Sequence, residues 1–252
     1  MSAPVFLAEP GTLDGVTEGA TYLLDGTEGR HAGVVQRRGP GERVDVVDGA
    51  GVRLLGVVGA VSVDGVLVHV QGRVVEPAPA VALVLVQALA KGDRDEMAIE
   101  AATEVGVDAV VPWQAERSIV VWRGERAAKS RARWLGTVRA AAKQSRRARV
   151  PAVEVALDAR GLVERVRAVV AAGGAALVLH EDASEPLASA GLPEVGECLV
   201  VVGPEGGIGE GELGRLVEAG ARAVRLGPHV LRTSTAGPVA LAMLAERLGR
   251  WA

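Results

Sequence analysis

The sequence predicts an α/β protein: a mostly parallel sheet covered by helices on both faces, preceded by a small β-barrel. Three observations carry this. Residues 44–75, VDVVDGAGVRLLGVVGAVSVDGVLVHVQGRVV, are short valine runs punctuated by glycine, and such runs with Asp-Gly and Gly-Ala turns form antiparallel hairpins. After Glu76-Pro-Ala-Pro-Ala the texture changes to apolar runs alternating with helical stretches, as in a sheet whose crossovers are helices. The chain has 252 residues, 49% of them hydrophobic, enough for one large domain or two modest ones, and the change of texture favours two. The boundary is predicted between them at 75/76, with a barrel over 1–75 and an α/β domain over 76–252.

Within the second domain, residues 82–86, 109–111, 176–179, 199–202 and 223–226 read as buried strands, being short apolar runs rich in β-branched residues. Helices are expected over 93–105, with Asp93 capping and Met97, Ala98, Ala101 and Val105 on one side, over 211–219 and over 239–251. Ligands of parallel sheets bind at the carboxyl ends of the strands.

Composition excludes several classes. The single cysteine, Cys198, has no partner for an internal disulfide, and His31, His69, His180 and His229 lack zinc-site spacing; no metal is expected. The first residues, MSAPVFL, have neither a basic region nor a long apolar core, so a cytoplasmic chain is expected. The longest apolar stretch, residues 81–90, is interrupted by Gln87 and is about half of the ~20 residues a membrane helix needs, so no membrane partner is expected.

Charge is unevenly distributed. Residues 117–149 hold eleven basic side chains against one acid, Glu125, a net +10 within a chain of net −3. Such a segment suits phosphate contacts with RNA, or is a solvated helix face.

Two stretches look chemical. The first, Leu199-Val-Val-Val-Gly203-Pro204-Glu205-Gly206-Gly207-Ile208-Gly209, is a strand running into a glycine-rich turn before a helix near Glu210. Its glycines permit unusual backbone angles and close approach of main-chain N–H groups to a ligand, or merely reverse the chain. The second, Leu226-Gly227-Pro228-His229-Val230-Leu231-Arg232-Thr233-Ser234-Thr235-Ala236-Gly237, opens from a strand end into the last helix. One of its three hydroxyls suffices for an N-cap, whereas Arg232 has no such structural reason.

GPEGG after a buried strand, followed some twenty residues later by LGPHVLRTSTA, resembles the signature pair of the RsmE-type 16S ribosomal RNA uridine-N3 methyltransferases. KGDRDEM from Lys91, TEVGV from Thr103, Glu116-Arg117-Ser118 and KQSRR from Lys143 are similar to that family's inner motifs, in order. Gly29-Arg30-His31 and residues 44–51 resemble its barrel. The sequence departs from the usual pattern at Ser234 and Lys143, where a glutamate is expected in each case, so neither position supplies a carboxylate base here.

The resemblance implies a PUA-like RNA-binding barrel followed by a SPOUT domain, a trefoil-knotted fold acting as a homodimer with S-adenosylmethionine as cofactor. The implied cofactor residues are Leu179, His180, Gly203, Pro204, Glu205, Gly206, Gly207, Ile208, Leu226, Gly227, Val230, Leu231, Arg232, Thr235 and Ala236. Arg30, His31, Arg37, Arg38, Arg117, Lys143, Arg146 and Arg147 are the expected contacts to 16S ribosomal RNA or the small ribosomal subunit. Methylation at N3 requires loss of the N3 proton, so the site needs a base or a cation for the uridine anion. Arg232 is the expected catalytic cation, and Glu205, Glu104 and His229 are candidate bases. The rival readings are a SPOUT enzyme acting on tRNA or on a ribose 2′-hydroxyl, and a non-catalytic RNA-binding module.

Overall fold

The structure, a computed structural model, describes residues 3–251 and divides into two compact units, 1–78 with 142–150 and 79–141 with 151–252.

The first unit contains β1 (Val5–Leu7), β2 (Thr21–Leu24), α1 (Gly26–Arg30) continuing as a π turn over His31–Val35, β3 (Arg43–Val47), β4 (Val52–Ser62) and β5 (Gly65–Val75). They form one five-stranded sheet in the order β1-β3-β4-β5-β2, antiparallel except for the β1–β3 pair. Phe6, Leu13, Leu24, Val46, Leu54, Val66 and Val68 fill its core. β4 and β5 are each eleven residues long, longer than the sequence suggested, because Gly56 and Gly59 lie inside β4 and do not end it. A Cβ at either would come 2.3 Å from Val68 or the His69 ring on the facing strand, so these glycines admit close strand approach and mark bulges that curl the sheet.

Residues 142–150 belong to this unit through long-range contacts invisible to local pattern. Ala148 packs with Val5, Leu7 and Val47, and the Val150 N–H donates to the Gly49 carbonyl at 2.9 Å.

The second unit is built on β6 (Val81–Ala88), β7 (Ala109–Gln114), β8 (Ala152–Val153), β9 (Leu157–Asp158), β10 (Ala175–Leu179), β11 (Glu185–Pro186), β12 (Gly196–Val202) and β13 (Arg222–Arg225). The sheet is parallel throughout, in the order β11-β13-β10-β12-β6-β7-β8, with β9 also beside β7. Its helices are α2 (Arg94–Glu104), α3 (Glu125–Gln144, ending in the first unit), α4 (Ala159–Ala171), α5 (Glu210–Glu218) and α6 (Thr233–Arg247). Alternate residues of β6 serve opposite faces. Leu83 and Leu85 join Ile99, Trp134 and Leu241 on one side, and Val84 and Val86 join Leu162, Val166 and Leu216 on the other. Burial on both faces is why this strand is an unbroken apolar run.

Three local expectations are corrected. Asp93 takes a left-handed backbone (φ 59°) and its side chain caps nothing. The buried face of α2 is Asp95, Ala98, Ile99, Ala102 and Thr103, with Met97 exposed. Helix α6 starts at Thr233, six residues before the expected 239, and carries Pro238 inside it. Among the described residues no helix is long and apolar enough to cross a membrane.

Candidate active site

A cleft of about 1080 Å³ opens at the carboxyl ends of β10, β12 and β13, the end at which parallel sheets bind ligands. The turn after β12, the loop after β13 and the first turn of α6 form its walls. Of the fifteen residues expected at a cofactor, all but Thr235 line it. Thr235 is exposed on α6, its N–H bonded to the Arg232 carbonyl at 2.8 Å. The cleft also takes in Arg94, Arg117, Glu181, Asp182, Val202, Glu210, Arg225, Pro228, His229 and Thr233.

Glycine is required in the turn after β12 for two separate reasons. Gly207 has φ +70°, and a Cβ on Gly203 would stand 2.7 Å from Ile208. At Gly227, across the cleft, a Cβ would meet nothing within 4 Å, so the space beside its backbone is open to a ligand. A cleft of this size, lined by Gly203, Gly206, Gly207 and Gly227 and carrying carboxylates at Glu181 and Asp182, can take a small molecule bearing hydroxyl and cationic groups.

The floor is held by a buried polar chain. The Gln87 side-chain N–H at the end of β6 donates to the Thr233 hydroxyl at 2.9 Å, and that hydroxyl donates to the Gly203 carbonyl at 2.8 Å. Gln87 is fully buried and Thr233 nearly so. This explains why the last helix begins at Thr233 despite Pro238.

Glu205 is a structural anchor. Its carboxylate accepts the Lys91 N–H at 3.0 Å and pairs with Arg94 at 2.7 Å. Partial burial works to raise this carboxyl, but the hydrogen bonds of its own backbone, Arg94 and Lys91, with the Arg94 charge, outweigh it and hold it below the ordinary carboxylate value. A group so engaged is a weak base. Glu104 lies at the end of α2 outside the cleft, whereas His229 is in it and exposed. Arg232 lines the cleft, exposed, and its guanidinium has no hydrogen-bond or ion-pair partner among the described residues. His180, half-buried, accepts the Asp182 N–H through Nδ1 at 3.3 Å.

Buttressing comes from α5. Glu212, 2% exposed, accepts the Glu116 N–H at 3.1 Å, and Glu116 pairs with Arg215. Arg117 then donates to the Gly206 carbonyl at 3.0 Å, which brings an expected RNA residue to the turn after β12.

The other basic residues divide by environment. In the first unit Arg30 and Arg37 are exposed, His31 bonds Gln36 at 3.1 Å and Arg38 pairs with Glu42 at 3.3 Å. Lys143 is tied to both Glu28 oxygens at 2.7 and 2.8 Å, which spends its charge inside the fold. Arg146 is exposed with φ 60°, and its carbonyl accepts from Arg53. The Arg147 N–H bonds the Ala142 carbonyl at 2.8 Å. Among the described residues no group of His, Cys, Asp and Glu is arranged to hold a metal ion.

Comparison with known proteins fits this arrangement. The RNA methyltransferase domain family matches residues 76–245. The ribosomal RNA small subunit methyltransferase E of Mycobacterium bovis is 48% identical over 92% of this chain and 89% of its own length. That of Bacillus subtilis is 32% identical over 93% of each. Among solved structures, the ribosomal RNA small subunit methyltransferase E of Neisseria gonorrhoeae bound to S-adenosyl methionine superposes with a TM-score of 0.84 at 28% identity, covering 98% of both chains. A Legionella pneumophila methyltransferase in complex with the same cofactor gives 0.82 at 27% identity, again over 98% of both. With a relative this similar over nearly its whole length and a family match across the α/β unit, the chain belongs to the ribosomal RNA small subunit methyltransferase E family.

Proposed function

We propose that this protein methylates N3 of a uridine in the 16S RNA of the small ribosomal subunit, using S-adenosylmethionine. The observation that carries the reading is the cleft at the ends of β10, β12 and β13, walled by the two glycine-bearing loops, in a chain whose relatives are named ribosomal RNA small subunit methyltransferase E, one of them solved bound to S-adenosyl methionine. When bound, S-adenosylmethionine supplies a methyl group on a cationic sulfur. The backbone of residues 203–208 and 226–232 would hold it, with Glu181 and Asp182 available to its hydroxyl and amino groups.

The chain's own residues account for the rest. Arg232, unpaired among the described residues, is suited to stabilise the uridine anion as N3 loses its proton. His229 is the cleft residue best suited to receive that proton, since Glu205 is committed to Arg94 and Lys91. Glu205 and Arg94 keep the cofactor turn in register with the loop at 91–94, and so align the reactants.

Two finer features belong to the same reading. The first is the SPOUT knot, supported by β13 lying between β10 and β11 and by α6 returning against β6 and β12; the curled sheet of the first unit correspondingly fits a PUA-like barrel. The second is a homodimer, supported by the exposed apolar Val230, Leu231, Val239 and Trp251 near α6. Calorimetric titration tests the cofactor assignment. Saturable binding of S-adenosylmethionine that is lost in Gly203→Val agrees with it, and no heat of binding to the wild-type protein refutes it.

A further inference from the structure

The basic segment is not uniform. Its last part, 142–149, is engaged within the first unit, through Lys143 to Glu28 and Arg149 to the Glu76 carbonyl at 2.7 Å. Its earlier part lines a second cavity of about 330 Å³ in the second unit, bounded by Gly92, Asp93, Asp95, Trp122, Arg126, Lys129, Ser130 and Arg133. Positions 126, 129, 130 and 133 repeat at the helical spacing that places side chains on one face of α3. Arg133 is paired with Glu96 at 2.5 Å, whereas Arg126 and Lys129, both exposed, have no hydrogen-bond or ion-pair partner among the described residues. Trp122 is half-buried and braced edge-to-face against the buried Trp134, ring centres 5.2 Å apart. One loop separates the two cavities. Gly92 and Asp93 face the second, Arg94 faces the cofactor cleft, and the Lys91 N–H is bonded to Glu205 of the cofactor turn.

A rigid aromatic beside unpaired cations, opposite a glycine whose backbone leaves room for a ligand, is the chemistry that takes a single nucleotide. The base stacks on the ring and the phosphate meets the cations. The volume lies at the lower end of ligand pockets, roughly 300–1,000 Å³. We infer that this second cavity binds one unstacked nucleotide of the substrate RNA, with its base against Trp122 and its phosphate on Arg126 and Lys129, and thereby fixes which neighbouring base enters the cofactor cleft. The inference rests on the RNA-methylation reading and adds to it the site that sets the register of the strand.

The test uses the full-length protein and a fluorescently labelled single-stranded RNA oligonucleotide read by anisotropy, alongside methyl transfer to small ribosomal subunits. Replacing Arg126 and Lys129 together by Gln should lower the slope of log affinity against log salt by about 0.7, the loss of one neutralised phosphate. Trp122→Ala should weaken oligonucleotide binding at least about fivefold, with Trp122→Phe recovering most of it. In transfer assays the same variants should raise KM for the subunit while leaving the KM for S-adenosylmethionine unchanged, a split that general misfolding would not produce. Oligonucleotide affinity and salt slope equal to wild type in all three variants overturn the inference. If the variants bind RNA as weakly as predicted while the wild-type protein transfers no methyl group, the nucleotide site stands and the catalytic reading fails.

Discussion

The hydroxyl of Thr233 sits between Gln87 and the Gly203 carbonyl, at 2.9 Å from one and 2.8 Å from the other, and joins the ends of β6 and β12 to the start of α6. Buried donors and acceptors left without partners cost about 1–3 kcal/mol each. Thr233→Val should therefore lower the unfolding free energy by about that amount and weaken cofactor binding, because the Gly203 turn loses its tie. Thr233→Ser keeps the hydroxyl and should restore both; chemical denaturation and cofactor titration of the two variants make the comparison.

Glu205 separates anchoring from base catalysis. If it holds the turn, Glu205→Gln should raise the KM for S-adenosylmethionine and leave the shape of the pH–rate profile above pH 6 unchanged. A vanished ionisation in that profile would instead make Glu205 the base. Its carboxyl is held below its unfolded value, so its contribution to stability is present above the unfolded pKa of about 4.3 and is lost as pH falls through the lower, folded value. The stability difference between wild type and Glu205→Gln should accordingly shrink in acid.

Glu212 carries the opposite sign. Burial raises its carboxyl, against the hydrogen bond from Glu116, and Oε2 is buried without a partner among the described residues. A folded pKa above the unfolded one means that stability is greatest below the unfolded value and falls as pH rises through the folded one. Glu212→Gln keeps an acceptor for the Glu116 N–H and removes the buried charge, so it should match or exceed wild-type melting temperature at pH 7. A gain of about 1 kcal/mol would appear as roughly 2–4 °C in a chain of this size, and the advantage should disappear near pH 4. Melting curves at the two pH values decide it.

At Gly207 the backbone lies at φ +70°, where a Cβ costs roughly 1–2 kcal/mol. Gly207→Ala should lose up to about thirtyfold in cofactor affinity, measured by calorimetry, while the circular dichroism of the protein is kept. Unchanged affinity would mean that the turn does not hold the cofactor.

The central strands were legible because β6, β10 and β12 are buried on both faces, so burial alone writes them as apolar runs. The two loops around the cleft were legible through the resemblance of their paired motifs to a known family, since glycine alone left chain reversal open as the alternative; in the structure Gly203 and Gly207 do need to be glycine. What escaped was non-local. Nothing near Lys143 announces Glu28, 115 residues away, as its partner, and Glu181, Asp182 and Arg225 were not singled out although their neighbours Leu179, His180 and Leu226 were expected at the cleft they line. Helix α2 misled because its buried face includes the carboxylate of Asp95 and the hydroxyl of Thr103, which a hydrophobicity pattern assigns to solvent. Helix α6 misled through Gly237-Pro238. Gly237 packs so closely that a Cβ would lie 2.8 Å from Leu85, and this packing offsets the hydrogen bond that Pro238 forfeits.

Methyl transfer to N3 of a uridine, with Arg232 essential, is read directly at the product. Its most direct test is nucleoside analysis of 16S RNA after small subunits from cells lacking the corresponding gene are incubated with the protein and labelled S-adenosylmethionine. Label is expected in 3-methyluridine, with a loss of roughly 10²–10³ in kcat for Arg232→Ala and cofactor binding retained. Label in a ribose-methylated nucleoside, no label in the 16S RNA, or an Arg232→Ala variant as fast as wild type, would contradict the proposal.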